Sequence, residues 1–145
     1  MRIYLSDYTE SFMRRSFKRQ ISSLEQIFGF VNELFTSYDI DESIKFSVNL
    51  AVEELFTNMV KYNRNSDNDI TIAVEKEGKK IIINLIDYNS DEFDVTKSRE
   101  VDLKQRLEER KIGGLGLHLV KKLVDDLQYQ HTDGVSRITF TKNLE

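Results

Sequence analysis

The stretch "KIGGLGLHLVKKLVDDLQY", residues 111–129, holds three of the six glycines of the chain, namely Gly113, Gly114 and Gly116. After the glycines, apolar residues recur at the spacing of an amphipathic helix: Leu115, Leu119, Val120, Leu123, Val124 and Leu127. The segments "LQYQH" and "SRITFTK" then predict two strands around the turn "TDG". This part of the chain therefore predicts a glycine-rich loop, a helix and a hairpin in direct succession.

Upstream of the glycines, the sequence predicts a strand, two helices and another hairpin. A helix is expected from Ser22, where Ser22 and Glu25 fit a capping box, and a longer one from the N-cap Asp41 through Lys61. "DITIAVEKEGKKIIINLID", residues 69–87, reads as two strands joined by a turn at Gly78. We therefore expect a single domain, residues 1–145, with an α/β two-layer sandwich in which about three helices cover one face of a mixed, mainly antiparallel sheet.

Composition narrows the function classes. The 145 residues include no cysteine, so neither disulfides nor thiolate metal sites are expected, and His118 and His131 lack the company of metal ligands. A formal charge of -4 argues against a dedicated nucleic-acid binder, and the basic cluster "RRSFKR", residues 14–19, is interpreted as a solvated strand face. No run approaches the ~20 apolar residues of a membrane span, and "MRIYLSDYTE" lacks the apolar run of a signal peptide, so a soluble, cytoplasmic protein is expected.

Residues 91–111 have an unusual density of charge. Seven acidic and six basic side chains occupy 13 of these 21 positions. Such a segment has little apolar surface to bury, so it is expected to be mobile or loosely helical.

Glycines before a helix suit a phosphate ligand, because bare backbone N–H groups can approach it and the helix N-terminus carries partial positive charge. "GGLGLHL" has neither the Lys-Ser/Thr pair of a P-loop nor the spacing of a dinucleotide-binding G-x-G-x-x-G motif. The alternative is that these glycines only terminate a flexible loop.

Glu54, Asn58 and Lys61 lie at helical spacing on one side of the second helix, at the border of its apolar stripe. The amide oxygen of Asn58 suits Mg²⁺, and Glu54 could accept a proton from an attacking hydroxyl. The alternative is an ordinary helix edge.

Asp87 ends the strand "KIIINLID" on the same face as Ile81, Ile83 and Leu85. A carboxylate on the core side needs a partner, and an exocyclic amine such as that of adenine would supply a donor. The alternative is a strand that simply ends in a turn aspartate.

Taken in order, "EELFTN", "IDYNSDEFD" and "GGLGLHLV" resemble the N-box, G1 box and G2 box of the gyrase, heat-shock-chaperone and histidine-kinase ATP-binding fold (the GHKL or Bergerat fold). The length and the form of the last motif are most similar to the anti-sigma-factor serine/threonine kinases of bacterial partner-switching systems. The resemblance covers roughly residues 14–143.

The resemblance implies a role for each matching residue. Glu54 would be the general base, Asn58 would hold Mg²⁺ against the phosphates of ATP, and Asp87 would bind the adenine amino group. Residues 90–112 would form the ATP lid. The remaining implied nucleotide-binding positions are Lys61, Tyr62, Asn89, Gly113, Gly114, Leu115, Gly116 and Leu117. Asn89 stands where this family usually has glycine, and asparagine tolerates the left-handed backbone better than most residues.

The function that the resemblance implies is phosphorylation of a small STAS-type anti-anti-sigma protein and, in the other nucleotide state, sequestration of a sigma factor. A homodimer is also suggested. Asn89 motivates a different hypothesis, a nucleotide-sensing module that binds partners without efficient phosphotransfer. A third hypothesis is a plain α/β interaction domain that binds no nucleotide.

Overall fold

Strands and helices follow one another along the described chain in the order that the sequence predicts. The computed structural model describes residues 12–62, 67–88 and 114–145. The strands are β1 (Phe12–Phe17), β2 (Ile70–Glu77), β3 (Lys80–Asp87), β4 (Asp126–Thr132) and β5 (Val135–Asn143). The helices are α1 (Leu24–Phe35), α2 (Glu42–Tyr62) and α3 (Gly114–Leu123). A 3₁₀ turn, Ile21–Ser23, precedes α1.

The five strands form one sheet in the order β1-β2-β3-β5-β4. Every neighbouring pair is antiparallel. Gly78 turns the β2–β3 hairpin with a φ of 61°, and Asp133 and Gly134 turn the β4–β5 hairpin with φ of 52° and 77°. Positive φ at both central residues matches the right-handed twist of the flanking strands, which explains the "TDG" signal. The expected α/β two-layer architecture with a mainly antiparallel sheet is confirmed, and the five described strands pair only in the antiparallel sense.

One face of the sheet builds the core with the helices. Alternation places the odd-numbered apolar residues of β3 on that face, and the three helices cover it with their apolar stripes. The residues that are fully buried there include Ile27, Val48, Leu55, Phe56, Ile70, Ile72, Ile81, Ile83, Leu85, Leu117 and Phe140. Asp87 continues the same alternation, so the end of β3 directs a carboxylate into the apolar layer.

The two long helices begin differently. At α2, the Ser43 amide donates to Asp41 Oδ1 at 3.0 Å, which confirms the predicted N-cap. At α1, the predicted capping box of Ser22 and Glu25 is wrong, because the α-helix begins only at Leu24 and no side chain caps it. The Ser23 hydroxyl is buried and instead donates to the Lys18 carbonyl at 2.7 Å, which fixes the 3₁₀ turn to the end of β1.

The basic cluster "RRSFKR", residues 14–19, is not exposed along its whole length. Arg14 and Arg15 are exposed on β1, as expected. Arg19 lies beyond the strand, and its side chain is only 7% exposed. The interpretation of the whole cluster as solvated is therefore wrong for Arg19, whose partners are described below.

Within the described residues, no helix combines the length and the apolar character that a membrane span requires.

Candidate nucleotide-binding site

Helix α2 carries four of the candidate residues, three of which lie along one edge. Its apolar stripe, which includes Ala51 and Leu55, packs into the core, and Glu54, Asn58 and Lys61 follow the edge of that stripe one turn apart. Glu54 and Lys61 are half-buried, whereas Asn58 is only 3% exposed. Packing of the stripe thus fixes the edge residues in position.

The side-chain carbonyl of Asn58 is buried without a hydrogen-bond donor. Its Oδ1 is the one buried side-chain oxygen or nitrogen in the described part of the chain that has no hydrogen-bond partner. Leaving such a group unsatisfied costs about 1–3 kcal/mol. An unpaired amide oxygen is also a suitable ligand for a hard cation, so this position fits Mg²⁺.

Glu54 has a perturbed carboxyl group. Burial raises the pKa of Glu54, and the negative charge of neighbouring Glu53 raises this pKa further. The positive charge of Lys61 lowers the same pKa and only partly offsets the increase. A carboxylate whose pKa lies above the ordinary value of about 4.3 is a stronger base.

The start of α3 lies directly against Glu54. A methyl group in place of the Gly116 hydrogen would come within 2.6 Å of Glu54 Oε1, closer than real carbon atoms approach. Glycine at this position therefore lets the carboxylate approach the first turn of α3. The N–H groups of that turn, which contains Gly114, Leu115 and Gly116, have no partner within the helix.

Other predicted positions are placed only in part. Leu117 is 1% exposed and belongs to the core, so only its main chain could serve a ligand. The backbones of Tyr62 and Leu115 lie in α2 and α3, but their side chains are outside the described part. Asn89, Gly113 and the predicted lid, residues 90–112, also lie outside the described residues.

Asp87 is completely buried and is paired with an arginine. Its Oδ1 accepts from the Arg19 guanidinium. The chain itself therefore supplies one partner for this carboxylate, through Arg19. A carboxylate oxygen has two lone pairs, so pairing with Arg19 is compatible with a further donor at the group.

Arg19 also brings Asp87 to the helix that carries Asn58. The guanidinium donates from its NH1 atom to the Met59 carbonyl at 3.3 Å, and Met59 directly follows Asn58. Glu54 contacts the start of α3 one turn earlier on α2. Through Arg19, the last turn of α2 thus lies near the end of β3, and an earlier turn of α2 lies against the start of α3.

Sequence reasoning did not find Arg19. The signal was present, because Asp87 was expected on the core side and a buried carboxylate requires a partner. The basic cluster includes the end of the first predicted strand, which lies beside β2 and not beside β3, and nothing in its spacing indicated which arginine turns inward.

Residues 17–142 match the family model described as the histidine kinase-like ATPase domain. The chain belongs to this family. Membership of the histidine kinase-like ATPase family implies an ATP site, and the match covers nearly the whole stretch over which the three motifs resemble the ATP-binding fold.

Curated relatives of this histidine kinase-like domain are serine-protein kinases. The serine-protein kinase RsbW of Listeria monocytogenes serovar 1/2a is 32% identical over 122 residues, which are 80% of this chain and 74% of the relative. RsbW of Bacillus mycoides is 30% identical over 121 residues, which are 81% of this chain and 72% of the relative. Kinase activity is therefore an attribute of the relatives.

Solved structures show the same fold. One holds the RsbU and RsbW domains of a Mycobacterium tuberculosis protein, with a TM-score of 0.66 and 17% identity, and it matches 92% of this chain but 32% of that chain. This chain thus spans about a third of that solved chain. Another is a SiaB-SiaC complex from Pseudomonas aeruginosa, with a TM-score of 0.63, 13% identity and coverage of 98% and 94% of the two chains.

The described residues fit a magnesium ion that the protein ligates mainly through Asn58. They contain no group of three or more histidine, cysteine, aspartate or glutamate side chains that could hold a metal. A metal ligated by Asn58 would therefore take other ligands from phosphate oxygens or water, as Mg²⁺ does in many ATP sites.

Proposed function

We propose that this histidine kinase-like domain, residues 1–145 with a lid at residues 90–112, is an ATP- and Mg²⁺-dependent serine/threonine protein kinase. Its substrate would be a small STAS-type anti-anti-sigma protein. In a nucleotide state other than the one that supports phosphotransfer, the chain would sequester a sigma factor. The observation that carries this proposal is Glu54, a half-buried carboxylate with a raised pKa beside the glycine-rich start of α3.

Each residue has a distinct part in the proposed transfer. Bound Mg-ATP would supply the terminal phosphoryl group, whose bond to the hydroxyl oxygen forms as its bond to the leaving ADP breaks, and the Mg²⁺ would neutralise charge on the phosphate oxygens. Glu54 accepts the proton of the attacking serine or threonine hydroxyl, and Asn58 presents its unpaired Oδ1 as a metal ligand. Asp87 would accept from the adenine amine, and the N–H groups at the start of α3 would bind the phosphates.

The partners are proposed from the relatives. Two curated relatives carry the name serine-protein kinase RsbW, and one structural neighbour is a complex of two proteins, SiaB and SiaC. From these relatives we propose a STAS-type phosphoacceptor and a sigma factor as partners. A homodimer and a cytoplasmic location are proposed on the same basis. No direct binding to nucleic acid or membrane is proposed.

The proposal is tested by incubating the chain with labelled ATP, Mg²⁺ and candidate STAS proteins from the same cell. Label should appear on a serine or threonine of one STAS protein, and a sigma factor should copurify with the chain in one nucleotide state. Absence of any increase in melting temperature with Mg-ATP would contradict the nucleotide site itself, since a ligand that binds only the folded state must stabilise it.

Asn89 favours a second candidate, a nucleotide-sensing module with weak catalysis. Calorimetry would then detect ATP binding while phosphorylation of every STAS candidate stays at background. Appreciable turnover would exclude this candidate.

Replacement of Gly116 by alanine is expected to slow phosphotransfer without unfolding the chain. The added methyl overlaps only the flexible end of Glu54, which can move away, and alanine favours a helix more than glycine does. Displacing a catalytic group by about 1 Å can cost on the order of 10²-fold in rate. The measurements are transfer rate and melting temperature.

Gly29→Ala is the matched control for Gly116→Ala, because Gly29 lies in α1 and an added methyl there would meet no atom within 4 Å. The control should keep the wild-type rate. A Gly116→Ala variant with the wild-type rate would show that the close approach of Glu54 is not needed.

A further inference from the structure

Arg19 joins three separate parts of the fold through one guanidinium. Its Nε donates to the Asn68 carbonyl at 3.1 Å, one terminal nitrogen donates to the Met59 carbonyl at 3.3 Å, and the other pairs with Asp87. These acceptors lie before β2, in the last turn of α2 and at the end of β3. We propose that Arg19 is a positioning residue for nucleotide recognition, which holds Asp87 in place to read the adenine amine.

The geometry of the contact explains why arginine is required. A guanidinium is planar and carries five N–H donors in a fixed fork, so it can contact several acceptors at set angles. A lysine ammonium is a compact charge on a flexible stem and cannot reproduce this arrangement. The aliphatic part of Arg19 is buried as well, since the whole side chain is 7% exposed.

The Met59 contact connects the two ends of the proposed site. Met59 directly follows Asn58, and its carbonyl belongs to the last turn of α2, where backbone acceptors lack partners within the helix. Arg19 donates to that carbonyl and to Asp87 at the same time. The guanidinium therefore sets the distance between the helix of the proposed magnesium ligand and the strand of the proposed adenine acceptor.

This positioning role rests on the proposed ATP site. It predicts an effect of Arg19 on the selectivity of nucleotide binding, which a purely structural role does not. An arginine that only stabilises the fold would, when replaced, weaken the binding of all purine nucleotides equally. An arginine that orients Asp87 affects the amine contact in particular. Discrimination between ATP and purine riboside triphosphate, which lacks the exocyclic amine, distinguishes the two roles.

The test compares the affinities of the wild type and Arg19→Lys for both triphosphates in the presence of Mg²⁺, by calorimetry. The wild type should prefer ATP by about tenfold or more, as expected for a hydrogen bond to a charged group. Arg19→Lys should lose most of this preference. Arg15→Lys is the matched control, because Arg15 is exposed on β1 and lies over the Phe17 ring, and it should keep the preference.

Each outcome has a definite meaning. Equal loss of affinity for both triphosphates in Arg19→Lys, or an unchanged preference, would overturn the positioning role. Failure of the wild type to bind ATP would instead refute the proposed function.

A second set of variants covers the case in which Arg19→Lys does not fold. Asp87→Asn removes the buried charge, and Arg19→Gln is then added to it. Asparagine keeps an Oδ1 acceptor for the amine, so Asp87→Asn should retain part of the preference for ATP, and the double variant should lose it if Arg19 holds that acceptor in place. An equal preference in the double variant and in Asp87→Asn would also overturn the proposal.

Discussion

Replacement of Glu54 by glutamine is expected to slow phosphotransfer by about 10²–10⁴-fold, the usual contribution of a positioned general base. Glutamine keeps the size of the side chain but cannot accept the proton of the attacking hydroxyl. Binding of Mg-ATP should change little, because the proposed metal ligand is Asn58. The measurements are initial rates with a STAS phosphoacceptor and affinity by calorimetry.

The same substitution should leave the free protein at least as stable at neutral pH. The pKa of Glu54 is raised by folding, so the folded state binds more protons than the unfolded state in the interval above about pH 4.3. The contribution of Glu54 to stability therefore falls as pH rises through this interval and stays low at pH 7. Glutamine has no charge to bury, so the melting-temperature advantage of the variant should shrink on acidification.

Glu53→Gln provides the matched control for Glu54→Gln. Glu53 is the adjacent residue on α2, carries the same group and is exposed. Its replacement removes only the smaller of the two causes that raise the pKa of Glu54, so the rate should fall far less than in Glu54→Gln. A Glu54→Gln enzyme that retains most of its activity would refute the assignment of the base.

Much of the fold was predictable because the sequence signals and the packing agree. The stripe of α2 and the alternation of β3 from Ile81 to Leu85 each have one buried face, so the period reveals which residues enter the core. In β2, residues 70–74 are all buried, so alternation does not distinguish the two faces. Turn residues with positive φ fixed both hairpins. The capping box failed because Ser22 and Glu25 have the right spacing, yet Ser23 is held by the Lys18 carbonyl before the helix begins.

The site was predictable only to the level of its motifs. Spacing along α2 indicated that Glu54 and Asn58 share a face, but the closeness of Glu54 to Gly116 depends on how α2 and α3 pack. The pairing of Arg19 with Asp87 joins residues that are 68 positions apart. Such contacts arise from tertiary structure, and periodicity in one segment has no information about them.

Replacement of Asn58 by leucine is expected to have opposite effects on stability and binding. The unpaired Oδ1 costs the free protein about 1–3 kcal/mol, and an apolar side chain of similar shape removes that cost. The variant should therefore unfold at a higher temperature than the wild type. The stabilisation by Mg-ATP, about 2.7 kcal/mol when the nucleotide is at 100 times its Kd, should disappear.

Asn49→Leu is the control that separates a functional asparagine of α2 from a structural one. Asn49 exchanges amide hydrogen bonds with Asn32 at 3.1 and 3.2 Å and donates to the Lys45 carbonyl at 2.9 Å. Its replacement leaves the Asn32 amide short of a partner and should lower the melting temperature while preserving the shift with Mg-ATP. A residue maintained for binding has its energetic cost in the free protein and its gain only in the complex. If Asn58→Leu instead destabilised the free protein, as Asn49→Leu should, and kept the melting-temperature shift with Mg-ATP, the Asn58 carbonyl would be a structural group and not a ligand.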